Sequence, residues 1–213
     1  MKYMLYYESM NWDTLASEAL LQTASKALEE NGFVVSVVNS GEEAKEKTLS
    51  LIPENAEVMT MTSRTLDDTG INKAINESGK YNAIHPKVIK MDRETQAKEI
   101  ASLRSIPDYA VGSVHAVTSD GKLLIASRTG SQLPAYVYGS KKVIFVVGTQ
   151  KIVPDIQAGF QRLDEHTVPL ESERINKVYN MTTGSFISKL VIYYREEIKE
   201  RVHIILVKEV LGF

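Results

Sequence analysis

Two polar stretches of the chain share the tripeptide Ser-Arg-Thr, and each directly follows an apolar run. Residues 63–65 form the first stretch and residues 127–129 form the second. An arginine, hydroxyl groups and free backbone N–H groups within a few residues are what recognition of a carboxylate or phosphate requires. We therefore predict a site for a small anionic metabolite built from Ser63, Arg64, Thr65, Arg128, Thr129, Gly130 and Ser131, with Lys151 as a further cation.

The same residues also fit a purely structural explanation. Serine and threonine are ordinary helix caps, Gly130 can relieve a tight turn, and Arg64 and Arg128 can be solvated. The two explanations differ in one structural respect. If the helices after both stretches start at neighbouring strand ends, both stretches face one crevice, and a shared ligand becomes the better explanation.

Three residues are candidates for moving a proton, and each also has a structural explanation. Asp120 lies in an Asp-Gly turn, His115 lies within a strand-like run as a packed or surface histidine, and Glu171 fits a solvated helix start. Acid–base work needs such a group held in a pocket with an altered pKa, which spacing alone does not establish. The catalytic residues therefore stay unknown at this stage.

Several common kinds of site are excluded by composition and motif. The chain contains no cysteine, which excludes disulfides, thiolate nucleophiles, iron–sulfur clusters and cysteine zinc sites. The four histidines lack the spacing of a metal site, so no metal is predicted. The sequence also lacks the Walker A, G-x-S-x-G and G-x-G-x-x-G motifs, which removes the commonest nucleotide and hydrolase sites.

Bulk composition predicts a globular protein with a small-molecule partner. The chain has 213 residues, 43% of them hydrophobic, with a formal net charge of -2 and a pI near 6.1, so nucleic acid is not expected as a partner. The first residues lack the apolar core of a secretory leader, and the longest apolar runs are far shorter than the roughly 20 residues of a membrane span. We expect a cytoplasmic protein without membrane contact.

The elements that must position these residues alternate between helix and strand. A helix with a 3.6-residue apolar period is predicted from Asn11 or Asp13 to Asn31, followed by a strand at Phe33–Val38 covered on both faces. Such alternation predicts an α/β fold with an open, mostly parallel sheet and helices on both faces. Ligands of such folds bind beyond the carboxyl ends of the strands, where both Ser-Arg-Thr stretches would lie.

The middle of the chain carries a different pattern. Apolar runs at residues 109–118 and 122–127 are joined by Ser119-Asp120-Gly121, which is a hairpin signature. This predicts an antiparallel hairpin insertion in the parallel sheet. A further helix is predicted over residues 92–104.

The sequence resembles the LUD domain family, named for lactate utilisation. The likeness rests on residues 111–174, with their small-residue hairpin and Thr-Gly turn, on TSRTLDDTGI, and on RVHIILVKEVLGF at the closing strand. It spans residues 55–213 of what we expect to be a single domain over 1–213, with residues 1–54 less well matched. The resemblance implies a fold like that of sugar-phosphate isomerases and CoA transferases.

One departure from the family pattern bears on chemistry. Many relatives place a glutamate just before the Thr-Gly pair, and a glutamate is the covalent nucleophile of CoA transferases. This chain has Arg128 there, and a guanidinium cannot perform that step. A CoA-transferase mechanism at this turn is therefore not expected.

Three functions remain open. The first is binding of a small carboxylate or phosphate ester in organic-acid metabolism. The second is a sugar-phosphate isomerase-like enzyme that uses Asp120, Glu171 or His115, and the third is a non-catalytic regulatory or assembly subunit. A homo-oligomer formed through Tyr193-Tyr194 or the final Leu211-Gly212-Phe213 is also considered, although a core position explains both stretches better.

Overall fold

Helices and strands alternate along the chain, as the sequence pattern predicts. The structure is a computed structural model that describes residues 10–179 and 182–213. The first residues, which lack the apolar core of a secretory leader, are mostly not described, because residues 1–9 lie outside the described ranges. The α-helices are α1 (Glu18–Glu30), α2 (Gly41–Ser50), α3 (Arg64–Asp68), α4 (Ile71–Asn76), α5 (His85–Val88), α6 (Ala97–Ser105), α7 (Ile156–Arg162) and α8 (Val168–Tyr179).

The strands form two sheets. They are β1 (Val34–Val38), β2 (Glu57–Thr60), β3 (Asn82–Ala83), β4 (Tyr109–Gly112), β5 (Ala116–Thr118), β6 (Leu123–Ser127), β7 (Lys142–Gly148), β8 (Ile152–Val153), β9 (Lys189–Tyr193) and β10 (Val202–Val207). Six of them form a wholly parallel sheet in the order β1-β10-β7-β4-β2-β3. The other four form a mixed sheet in the order β8-β5-β6-β9, which contains the antiparallel β5–β6 hairpin.

Two strand predictions need correction. The apolar run 109–118 is not one hairpin strand, because β4 pairs in the parallel sheet and β5 pairs in the mixed sheet. The chain crosses between the sheets at Ser113–His115. β1, predicted to be covered on both faces, is an edge strand, and Val37 is 45% exposed.

Helix starts also differ from the predicted positions, and local hydrogen bonds explain why. The side chain of Asn11 accepts the N–H of Asp13 at 3.1 Å, which forms a turn instead of a helix cap. The helix begins instead after Ser17, whose Oγ accepts the N–H of Leu20 at 3.3 Å. In the same way, Asp92 Oδ1 accepts the N–H of Thr95 at 2.7 Å, so α6 begins later, at Ala97.

The core lies on both faces of the parallel sheet. One face packs against α2, α3 and α4, and the other packs against α1 and the inner face of the mixed sheet. The outer face of the mixed sheet is covered by α7 and by Trp12. Among the described helices, none has the length and apolar character needed to cross a bilayer.

A buried ion pair fixes the segment that follows the second Ser-Arg-Thr stretch. That segment forms a π-helical turn, Ala135–Gly139, whose free carbonyl groups need donors. Arg201 at the start of β10 donates to the carbonyl oxygens of Tyr136 and Ser140, both at 3.0 Å, and pairs with Glu196 at 2.8 Å. The side chains of Arg201 and Glu196 are only 3% and 6% exposed. One guanidinium therefore ties the turn to the parallel sheet.

Candidate functional site

A pocket of about 340 Å³ lies where the chain passes between the two sheets. Its walls come from the segments that follow the carboxyl ends of β2, β4, β6 and β7. Open α/β sheets place their ligands at this edge. We call it the inter-sheet pocket, and its principal polar lining residues are Ser63, Arg64, Thr65, Arg104, Ser113, His115, Arg128, Thr129, Ser131, Lys151, Glu171 and Arg174.

The pocket brings together most of the residues singled out from the sequence. Both Ser-Arg-Thr stretches contribute to its lining, as do Lys151, His115 and Glu171. Gly130 does not line it; its φ of 86° shapes the turn, and its N–H donates to Ser127 Oγ at 2.8 Å. Asp120 also lies outside the lining, in the hairpin turn, where it pairs with Lys122. Turn chemistry therefore accounts for Asp120, and we do not retain it as a catalytic candidate.

The first Ser-Arg-Thr stretch begins α3, a helix of only five residues. Ser63 occupies the cap position, yet its side chain makes no capping hydrogen bond. Arg64 is half exposed and pairs through Nε with Asp68 at 2.8 Å. Thr65 is buried, and its hydroxyl donates to the carbonyl oxygen of Leu211 at 3.2 Å. The simple capping explanation therefore fails for this stretch, because neither hydroxyl caps the helix.

The second stretch is a closed turn held by its own side chains. Ser127 Oγ accepts the N–H of Gly130, and the hydroxyls of Thr129 and Ser131 are 3.1 Å apart. The guanidinium of Arg128 lies over the ring of Phe186, 5.0 Å from its centroid. This stacking holds a half-buried arginine at the pocket wall instead of leaving it in solvent.

Neither stretch opens a long helix. α3 and the π-helical turn have five residues each, so helix dipoles contribute little here. Positive charge comes from side chains instead. Five basic side chains and two acidic ones line the pocket, namely Arg64, Arg104, Arg128, Lys151 and Arg174 against Asp67 and Glu171.

Lys151 is the most deeply buried of these cations, with an exposure of 1%. It ends a short 3₁₀ turn, Thr149–Lys151, between β7 and β8. Its Nζ donates to Thr65 Oγ1 at 3.0 Å and to Ser113 Oγ at 3.3 Å. Burial, with the nearby charge of Arg162, lowers the pKa of Lys151 well below its usual value, and the charge of Asp68 offsets this only in part.

His115 lies at the crossing between the sheets and is neutral. Its Nδ1 accepts the backbone N–H of Ala126 at 3.1 Å, so in the neutral ring the proton is on Nε2. Burial, with the charges of Lys151 and Arg162, lowers the pKa of His115 to about 3. His115 lines the pocket, and within residues 10–179 and 182–213 its ring makes this one hydrogen bond, at Nδ1. This makes His115 a neutral hydrogen-bond donor and a poor base.

Glu171 reaches the pocket from α8 but is already engaged. Its two carboxylate oxygens accept hydrogen bonds from Arg174 Nε and Nη2 at 2.6 and 2.7 Å. A solvated helix start was one of two explanations of Glu171 from the sequence, but the side chains of Glu171 and Arg174 are both mostly buried at the pocket wall.

Arg104 was missed entirely by the sequence analysis. It lies in the last turn of α6, a helix with an ordinary polar pattern that gives no signal of a site. Its Nε is buried and has no partner among the described residues. Burial lowers the pKa of Arg104, and the nearby charge of Arg93 adds to this effect. An anion in the pocket would provide a hydrogen-bond acceptor and a negative charge for Arg104.

Metal coordination finds no support in the described part of the chain. Within residues 10–179 and 182–213, no group of three histidine, aspartate or glutamate side chains is arranged to hold an ion.

Comparison with known proteins identifies the family. The sequence profile of the LUD domain matches residues 21–207. A comparison with curated proteins finds no match. Among solved structures, the chain is similar to a DUF162 family protein from Deinococcus radiodurans, with a TM-score of 0.58 and 11% identity over 91% of this chain and 99% of that one. That likeness supports the fold, an α/β arrangement around a mostly parallel sheet. Because the profile covers most of the sequence, this chain belongs to the LUD domain family.

Proposed function

We propose that the protein binds a small anionic metabolite, a carboxylate or a phosphate ester, in the inter-sheet pocket. The family name links it in general terms to lactate utilisation, so a role in organic-acid metabolism is the natural setting. The observation that carries the proposal is the meeting of both Ser-Arg-Thr stretches and Lys151 in one pocket where basic side chains outnumber acidic ones.

Two features of the basic side chains support an anion over a neutral ligand. Arg104 is half-buried, and its buried Nε has no hydrogen-bond partner among the described residues, which is costly unless a ligand supplies an acceptor. Arg128 is held in place by Phe186 and is therefore preorganised for a planar carboxylate or a phosphate. An incoming anion would compensate the charges of Arg104 and Arg128 at little cost in ordering.

Thermal unfolding with a panel of anions tests this proposal. Lactate, ribose 5-phosphate, CoA and a nucleotide would each be added to the full chain, and a ligand at 100 times its Kd should stabilise the fold by about 2.7 kcal/mol. The stabilisation should be lost in Arg128→Ala and kept in Arg195→Ala, which removes an exposed arginine that does not line the pocket. No shift with any anion, or equal shifts in both variants, would contradict the proposal.

A sugar-phosphate isomerase-like activity is the second candidate, and the position of Glu171 favours it. Glu171 and His115 line the same pocket as the basic side chains. Since His115 is a neutral donor, the role of base falls to Glu171, which would have to loosen its contacts with Arg174. Deuterium uptake into ribose 5-phosphate from heavy water, lost in Glu171→Gln, is the expected result of such an activity. No uptake in the wild-type protein would exclude it.

A further inference from the structure

The hydrogen bonds around Lys151 leave one position on its nitrogen open. Thr65 Oγ1 donates its proton to the carbonyl oxygen of Leu211 at 3.2 Å, and Ser113 Oγ donates to that of Val114 at 3.3 Å. Each hydroxyl has a single proton, so both must accept from Lys151. Two N–H groups of Lys151 are thus engaged. In a neutral amine the remaining position is the lone pair.

The surroundings of Lys151 favour this neutral amine. Its side chain is 1% exposed, and Arg162 adds a further positive charge close by. Asp68 is the acidic group that acts on Lys151, and it pairs with Arg64 instead of with the amine. A lysine that is desolvated beside another cation is the usual form of a lysine nucleophile.

We propose that Lys151 is a nucleophile that forms an imine with a small carbonyl compound carrying an anionic group, of which a 2-oxo acid is the simplest. The inference rests on the proposed function, because the arginines of the inter-sheet pocket would bind the anionic group while the carbonyl carbon meets the amine. A small molecule with both a carbonyl group and an anionic group matches the pocket, because the amine of Lys151 can attack the carbonyl carbon and the arginines can bind the anion.

The reaction balances without any further reactant. The lone pair of Lys151 Nζ attacks the carbonyl carbon, a C–N bond forms, and the π electrons of the C=O bond move to oxygen. That oxygen leaves as water with the two protons that the amine gives up, and a C=N bond remains. The Nε2–H group of His115, in the same pocket, is a neutral donor suited to hydrogen-bond the carbonyl oxygen during attack.

Reductive trapping tests the proposal on the full chain. The protein would be incubated at neutral pH with pyruvate, with dihydroxyacetone phosphate or with lactate, treated with sodium borohydride, and analysed by intact mass and peptide mapping. Pyruvate should give a single reduced adduct on Lys151, and lactate, which has no carbonyl group, should give none. An adduct with dihydroxyacetone phosphate in place of pyruvate also supports the imine and identifies a phosphate as the anion.

Two variants separate a specific imine from general lysine reactivity. Lys151→Arg keeps N–H donors for Thr65 and Ser113 but has no nucleophilic amine, so labelling at this position should be lost. Lys141→Arg removes an amine that is 80% exposed and does not line the pocket, so labelling of Lys151 should be unchanged. If Lys151→Arg fails to fold, the peptide map of the wild-type protein still decides.

The outcomes also distinguish this inference from the proposed function. Thermal stabilisation by lactate or pyruvate without an adduct on Lys151 would overturn the imine and leave anion binding intact. Labelling spread over exposed lysines, and equal in Lys151→Arg, would overturn it as well. If neither stabilisation nor an adduct is found with any compound, both proposals fail.

Discussion

Replacing Lys151 with methionine should stabilise the folded protein at neutral pH. Methionine has a similar length and fills the same buried space without an amine to desolvate. Thr65 and Ser113 keep their hydrogen bonds to backbone carbonyl groups, so little is lost in exchange. The gain should be about 1–3 kcal/mol, the usual cost of a buried polar group with incomplete compensation.

The pH dependence of that gain tests the charge state of Lys151 more directly than the size of the gain does. The unfolded chain keeps the Lys151 proton up to about pH 10.5, whereas the folded chain releases it at lower pH. Between these two pKa values the unfolded state binds more protons, so rising pH stabilises the wild-type fold relative to the variant. The advantage of Lys151→Met should therefore shrink by about 1.4 kcal/mol per pH unit in this window.

Urea unfolding of both proteins at pH 7, 8 and 9 measures this difference directly. Other titrating groups are common to the two proteins and cancel. Lys141→Met, at an exposed position, should change the free energy of unfolding by less than about 0.5 kcal/mol. A difference between wild type and Lys151→Met that stays constant with pH would refute the reasoning, because the folded amine would then keep its proton.

Three further predictions concern the buried ion pair, His115 and a glycine. Glu196→Gln should cost about 3–5 kcal/mol by leaving Arg201 buried without its counter-charge, as measured by urea unfolding. Burial acts to raise the pKa of Glu196, but hydrogen bonds from its neighbours outweigh burial and lower the pKa. The ionised Glu196 therefore stabilises the fold above about pH 4.5, and this contribution is lost as the pH falls through the folded pKa. His115 should show the neutral Nε2–H tautomer by NMR at all pH values above about 3, and an imidazolium signal at pH 6 would contradict the assigned hydrogen bond. Gly139→Ala should destabilise the fold more than Gly79→Ala in thermal unfolding, because its added Cβ would overlap the backbone oxygen of Ser105 in α6, whereas Gly79→Ala incurs only the strain of a positive φ.

The fold was largely predictable because its signals are local. Apolar periodicity and cap residues indicated alternating helices and strands, and this alternation implies a parallel sheet. The division of the strands between two sheets was not predictable, since residues 109–118 form one apolar run. The break at Ser113–His115 depends on β4 pairing with β7 and on β5 pairing with β8, which are contacts distant in sequence.

The site residues were predictable where a basic or hydroxyl side chain directly follows a strand. The arginines of both Ser-Arg-Thr stretches follow strand ends, and Lys151 follows β7, so the general rule for α/β folds places all three. Arg104 follows no such rule, because a polar helix gives the same pattern whether it faces solvent or a pocket. The tautomer of His115 depends on one backbone N–H across the hairpin, and its neutral state depends on burial, neither of which a sequence motif encodes.

Calorimetric titration of pyruvate or lactate into the wild-type protein and Arg128→Ala tests the central claim most directly. If both Ser-Arg-Thr stretches and Lys151 form one anion-binding pocket, the wild-type protein binds one equivalent. The variant should then bind about 10- to 100-fold more weakly, as expected for the loss of a charge-assisted hydrogen bond. Equal affinities in the two proteins, or no binding of these or any other small anions, would contradict the claim.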